Sequence, residues 1–307
     1  MCPSPSLPLA RTILPTAGPG GRGKRWFSLA IYPVTFGAGA AAIAAGVGSG
    51  VAYWKVGPPV MALCALAVMA LERWWPHATA WQRAQGDRAT DTLHLAGNVL
   101  VSQSAATLYA LAHAVTGGAL GLWPAGLPFA AQLLLGVLIL DLGLYAVHRA
   151  SHAVPWLWRL HAVHHSARRL YWQNSQRRHL AHELLEGAPG LLALGALGAP
   201  GEVVACGLAV ITIHLMFQHG NIDYRAGALK RVFAVAELHR WHHQRLYRDV
   251  QGNYGAVFSI WDQLLGTALP QRGDAPLDVG MDDEPDLPQD YLGQLRWPFQ
   301  ARREPRI

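Results

Sequence analysis

The stretch that decides the fold is Asp141–His165, DLGLYAVHRASHAVPWLWRLHAVHH. It begins inside an apolar run and ends in two histidine groups, His148 with His152, then His161, His164 and His165. A third group, His239, His242 and His243, repeats the HxxHH spacing of the second. Twelve of the fifteen histidines fall between His148 and His243. Residues four apart share a helical face, so His148 with His152, His161 with His165 and His239 with His243 can each address one metal. His164 and His242 stand beside them. Neutral imidazole suits iron, zinc or copper. Eight histidines exceed one zinc site, which takes three or four ligands, so two metals are the economical reading.

Working outward, the composition sets the surroundings of these groups. Charged residues are 14% and hydrophobic ones 51% of 307, which reads as an integral membrane protein. Apolar runs at Phe27–Val47, Pro58–Leu71, Leu93–Leu120 and Pro128–Val147 are the expected spans. Two shorter runs, Leu184–Leu197 and Val203–Phe217, flank Gly198–Gly201. At ~1.5 Å per residue each is marginal for a crossing. The expected fold class is therefore all-α: a membrane bundle of about four spanning helices, a re-entrant or short helical hairpin, and a histidine-rich helical cap.

Charge gives the orientation. Basic residues gather before the first run, after the second, after the fourth and after the hairpin, while the connector 121–127 has none. The positive-inside rule then puts every histidine group on the cytoplasmic side. The net charge of +6 is read as topology. No Lys/Arg run with interleaved aromatics points to nucleic acid. Cys2, Cys64 and Cys206 are far apart and form no CxxC. The organisation expected is a disordered basic N-terminus at 1–26, transmembrane helices at 27–123, the histidine-bearing region at 124–269 and a cytoplasmic tail at 270–307 that covers the site.

Other residues stand near the boxes. Asp141, Tyr145 and His148 share one helical face. Asp141 sits in an apolar run, where a charge is expensive, and is expected to accept the second ring N–H of a ligand histidine. RRHLAHE carries His179, His182 and Glu183; HLMFQHGN carries His214, His219 and Asn221. His214 is read as a hydrogen-bonded residue, and His77, His94 and His113 as structural or interfacial.

These segments together resemble the sterol desaturase / fatty acid hydroxylase superfamily. The residues that carry the likeness are DLGLYAVHRASH, WRLHAVHHS, FQHGN, HRWHH and NYG…WDQLLGT, in that order from Asp141 to Thr267. The resemblance implies a membrane-bound non-haem di-iron oxygenase using two iron ions and O2, with 124–269 as its catalytic domain. It carries over His148, His152, His161, His164, His165, His239, His242 and His243 as metal ligands, and adds His179 and His219. Asp141, Tyr145, Glu183 and Asn221 would support them. Leu180 stands where such proteins usually have Pro, His182 where they have Glu, and Gln251 where they have Asp. Whether His182 or His214 replaces His179 or His219 stays open.

The reaction implied is hydroxylation of an unactivated C–H bond in a membrane lipid or fatty acyl chain. Desaturation, or oxidation of a sterol or isoprenoid by the same centre, is the alternative. The non-enzyme reading is a membrane metal transporter or metal-binding protein, which would place ligands near the midplane of two repeated halves. No repeat is visible. With no cytochrome b5 signature, dinucleotide motif or cysteine cluster in the chain, electrons are expected from an external ferredoxin, rubredoxin, flavoprotein or cytochrome b5-like donor.

Overall fold

The computed structural model describes residues 22–116, 120–270 and 276–300. Six long helices are α1 (Arg22–Gly48), α2 (Tyr53–Trp74), α3 (Arg88–Thr116), α4 (Phe129–Ser151), α6 (Leu180–Leu197) and α7 (Gly201–His219). Between and after them lie the short helices α5 (Pro155–His165), α8 (Ala236–His242), α9 (Ile260–Leu264) and α10 (Tyr291–Arg296). Among the described residues there is no strand, only the isolated bridges Phe233–Phe258 and Gln244–Val279. α1 already begins at Arg22, within the segment expected to be disordered; the rest of that segment, 1–21, lies outside the described residues.

The six helices share one polarity of arrangement. The start of α1, end of α2, start of α3, end of α4, start of α6 and end of α7 all meet the histidine cap. Ser28 Oγ and Trp75 Nε1 both donate to the Asp223 carbonyl. Asp91 of α3 pairs with Arg177 at 2.7 Å. At the far end α6 and α7 are joined by the turn at Gly198–Pro200, and there Tyr109 Oη donates to the Ala199 carbonyl at 2.6 Å.

Four helices are long and apolar enough to cross a membrane: Gly23–Gly48, α2, α4 and α7. The chain is a multi-pass membrane protein. Its spans differ from the expected set in two ways. α3 is long, but its first turns bury Asp91, His94 and Asn98 against the cap, which dilutes its apolar character. α7, expected as half of a re-entrant or short helical hairpin that dips into the membrane or packs on the other helices, does pack on them and is itself long enough to cross. The turn at Gly198–Pro200 joins α6 to α7, yet each packs on α4 rather than forming a simple pair. α6 runs antiparallel to α4, with Gly190 against Gly143; α7 runs alongside it, with Gly207 against Leu140.

Small residues make that packing possible. A Cβ on Gly190 would lie 2.7 Å from the Leu140 Cα, and one on Gly143 2.6 Å from the Gly190 N. Lipid tails are as apolar as side chains, so helices in a membrane associate through such close van der Waals contact. α6 stops at Gly198, whose φ of 83° is left-handed, and Pro200 follows.

Buried acids pin the cap to the bundle. Asp91 accepts from Tyr171 Oη, Asn174 Nδ2 and Arg177 Nη1. Glu72 accepts the backbone N–H groups of Trp172 and Asn221. The segment 276–300 closes the outside: Gln294 is fully buried and bonds His94 and the Pro288 carbonyl, and Trp297 packs in one cluster with Trp158. The segment 276–300 thus packs against the cap.

Candidate metal centre

Each histidine group is placed by the end of a helix. α4 ends in His148 and His152. The extended Val154 and Pro155 at the first position of α5 redirect the chain, and α5 then delivers His161, His164 and His165. α7 ends in His219, and α8 carries His239 and His242, with His243 as its C-cap. All nine are buried.

They sort into two groups that cut across the sequence boxes. One is His148, His152, His161, His165 and His242; the other is His164, His219, His239 and His243. In each, the candidate ligand nitrogens lie within 4.8 Å of one another. The second and third boxes therefore each serve both groups.

Hydrogen bonds fix which nitrogen is free. His148 Nδ1 donates to the Tyr254 carbonyl at 2.8 Å and His242 Nδ1 to the Gly252 carbonyl at 2.7 Å. His164 Nδ1 donates to the Arg177 carbonyl at 3.2 Å and His219 Nδ1 to the Leu215 carbonyl at 3.1 Å. A carbonyl only accepts, so each Nδ1 carries the hydrogen, and each neutral ring keeps a bare lone pair at Nε2. Those lone pairs face one another: Nε2 to Nε2 is 2.9 Å for His148–His242 and 3.2 Å for His164–His219. His239 Nε2 is 3.0 Å from that of His219 and 2.9 Å from that of His243.

Burial, and after it the neighbouring histidines, hold His152, His161, His164, His165, His239 and His243 well below the usual imidazole range. The rings are neutral, and between His148 and His242, and between His164 and His219, both Nε2 atoms are bare, with no proton left to bridge them. Two imidazole nitrogens bound at right angles to one metal at ~2.1 Å would lie ~3 Å apart. The donor set fits a cation in each group.

Carboxylates hold the frame of these groups. Asp141 does not accept from a histidine, contrary to expectation. Its oxygens accept from Val257 N at 2.6 Å, Phe258 N at 2.9 Å and Trp261 Nε1 at 2.8 Å, tying the 253–261 loop to α4. Asp262 accepts Tyr254 N and Gly255 N. The loop so held presents the Gly252 and Tyr254 carbonyls to His242 and His148. Tyr145 Oη donates to Thr267 Oγ1 at 2.8 Å, whose own hydrogen goes to Asp262. Asn221 bonds both backbone groups of Ala78 and latches the end of α7. Gln251 bonds the Tyr247 carbonyl.

His179 stands apart from both groups. α6 starts one residue later, so His179 is its N-cap: Nδ1 accepts from Ala181 N at 3.1 Å, and Nε2 donates to the Leu295 carbonyl at 3.1 Å. Both nitrogens are spent. His182 instead faces the centre, in a further group with His161 and Glu186. Glu186 was not singled out in the sequence, although it is an acid within an apolar run and four residues from His182, the spacing of the histidine pairs. Glu183 pairs with Arg178 at 3.2 Å, as does Glu186 at 3.0 Å. His214 accepts from Tyr32 Oη and donates to the Ala234 carbonyl, a hydrogen-bonded helix residue. His77 and His94 lie outside all three groups.

Between the two main groups is a small void of about 20 Å3. His148, His161, His164 and His219 border it, with Leu144, Leu215 and Ala256 as apolar wall and Arg178 with Glu186 at one edge.

A multi-pass helical bundle carrying paired, buried histidine groups defines a class of membrane oxidoreductase, and sequence comparison agrees. The chain belongs to the fatty acid hydroxylase family: the model of that family matches residues 133–267. The chain is 36% identical over 252 residues to ornithine lipid hydroxylase OlsE of Rhizobium tropici, covering 79% of this chain and 76% of that protein. It is 29% identical over 141 residues to alkylglycerol monooxygenase of Caenorhabditis elegans, covering 46% and 28%. With methylsterol monooxygenase 1-2 of Arabidopsis thaliana the identity is 29% over 148 residues, covering 47% and 48%. No solved structure matches the chain.

Proposed function

We propose that this protein is an O2-dependent di-iron hydroxylase of an acyl chain in a membrane lipid. One iron is held by His148, His152, His161, His165 and His242, the other by His164, His219, His239 and His243. The observation that carries this reading is the pair of facing bare nitrogens in each group, which only a cation reconciles. The likeness to a protein named for lipid hydroxylation, over most of both chains, supports the substrate class.

Two ferrous ions supply reductive activation of O2, the chemistry an unactivated C–H bond requires. The protein supplies the rest. The Nδ1–carbonyl bonds fix tautomer and ring orientation before metal arrives. Burial keeps the imidazoles neutral and therefore ligating. Leu144, Leu215 and Ala256 give the void beside the histidines an apolar wall, with room of about 20 Å3 for one small group. Helices that run from the bilayer into the boxes bring the lipid to the centre without an aqueous step.

The cytoplasmic side for the cap is supported by the basic loops. The electron donor is an external ferredoxin, rubredoxin, flavoprotein or cytochrome b5-like carrier. The test is metal analysis of purified protein together with donor-coupled O2 uptake and product mass. The reading requires ~two irons per chain and a lipid heavier by one oxygen. A product lacking two hydrogens would assign desaturation to the same centre. Metal flux across vesicles without turnover would sink the enzyme reading.

A further inference from the structure

Outside the histidine cap, an apolar groove of about 680 Å3 lies between α2, α3 and α7. Its wall on α3 runs from Leu95 to Ala110 and on α7 from Gly201 to Met216. Fifteen residues at ~1.5 Å each make either wall about 22 Å long. One leaflet of a bilayer offers ~15 Å of hydrocarbon depth, so the groove takes a whole acyl chain. Small residues keep it open: Ala62 and Ala65 on α2, Ala106 and Ala110 on α3, Ala205 and Ala209 on α7. Its mouth faces sideways into the membrane, where Val99 is 48% exposed.

The groove is linked to the metal centre by a chain of polar contacts. Ser102, on the groove wall, donates to Glu183 at 3.3 Å. Glu183 and Glu186 share the Arg178 guanidinium, at 3.2 and 3.0 Å. Arg178 and Glu186 line the void between the histidine groups. At the cap end the groove reaches Gln176 and Met216. These stand one residue before the Arg177 carbonyl that orients His164 and one turn before His219.

We propose that this groove between α2, α3 and α7 is the binding site for the acyl chain of the lipid substrate, with the Arg178 ion pairs as the partition between it and the reacting void. The proposal rests on the hydroxylase reading for its substrate. The groove selects the lipid by chain length and depth, and Arg178 must let go of Glu183 or Glu186 for a methylene to pass.

The test reads occupancy without turnover. The full-length protein is placed in phosphatidylcholine nanodiscs doped with a phosphatidylcholine that carries a diazirine on one acyl chain, then irradiated and mapped by mass spectrometry. Adducts at Ala106, Thr107 or Thr212 are expected, in excess over adducts at the outward residues Leu63, Leu100 and Leu134. Ala106→Trp and Ala205→Trp should each cut the groove adducts about tenfold while iron content stays unchanged, and Leu100→Trp should not. Adducts at the outward residues with none in the groove would mean annular lipid only and overturn the proposal. So would groove adducts that persist in both tryptophan variants. Absence of iron would instead count against the hydroxylase reading, since the adduct map does not depend on metal.

Discussion

His179 and His182 differ by three positions, and only one of them faces the metal groups. The family resemblance pointed to His179 and left His182 open as its replacement. The start of α6 decides otherwise: at the N-cap a side chain turns back onto the first backbone N–H groups, whereas residues 182 and 186 lie inside the helix on one face. His179→Ala should therefore keep both irons and cost about 1 kcal/mol of stability through the lost cap, read by iron content and melting temperature. His164→Ala and His242→Ala should each abolish turnover and remove iron, because each leaves a facing nitrogen without its pair. His77→Ala should do neither. Full turnover in His164→Ala would refute the ligand assignment.

At the scale of elements, the histidine boxes were legible because their spacing is a helical property. The pairs His148–His152, His161–His165 and His239–His243 do sit at or beside helix ends. What spacing does not carry is which box meets which, and here both HxxHH boxes are divided between the two groups. The role of Asp141 was also out of reach: its partners, Val257, Phe258 and Trp261, are 116 or more positions away, and only the closed fold brings them to α4. Asp141→Ala strands three buried donors at roughly 1–3 kcal/mol each before relaxation. It should lower the melting temperature, and iron loss should follow from displacement of the Tyr254 carbonyl. Selective iron loss with an unchanged melting temperature would return Asp141 to the direct role first expected of it. Gly190→Val should prevent α6 from seating on α4, since its first side-chain carbon already meets Leu140 at 2.7 Å. The yield of folded, iron-loaded protein measures that directly.

For the whole molecule, the membrane class, the all-helical bundle and the gathering of the boxes at one end followed from apolar runs and the count of crossings between them. The depth of α7 did not. Its apolar run, Val203–Phe217, is marginal for a crossing at ~1.5 Å per residue, and only the fold shows a helix of Gly201–His219 packed between α4 and α2. Taken with the proposed orientation from the basic loops, the one-ended arrangement predicts that a cysteine placed at Arg83 or Arg168 is labelled only from the cytoplasmic side, and one at Ala125 only from the other. Removing iron by chelation should lower the melting temperature and restoring it should raise it, because metal binds the folded state alone. The most direct measurement is iron content and lipid product on one preparation supplied with O2 and a reducing carrier. About two irons per chain and a membrane lipid gaining a single oxygen are the result expected, with both lost together in His242→Ala. A lipid product formed by protein that holds no iron, or by His242→Ala at full rate, would contradict the account.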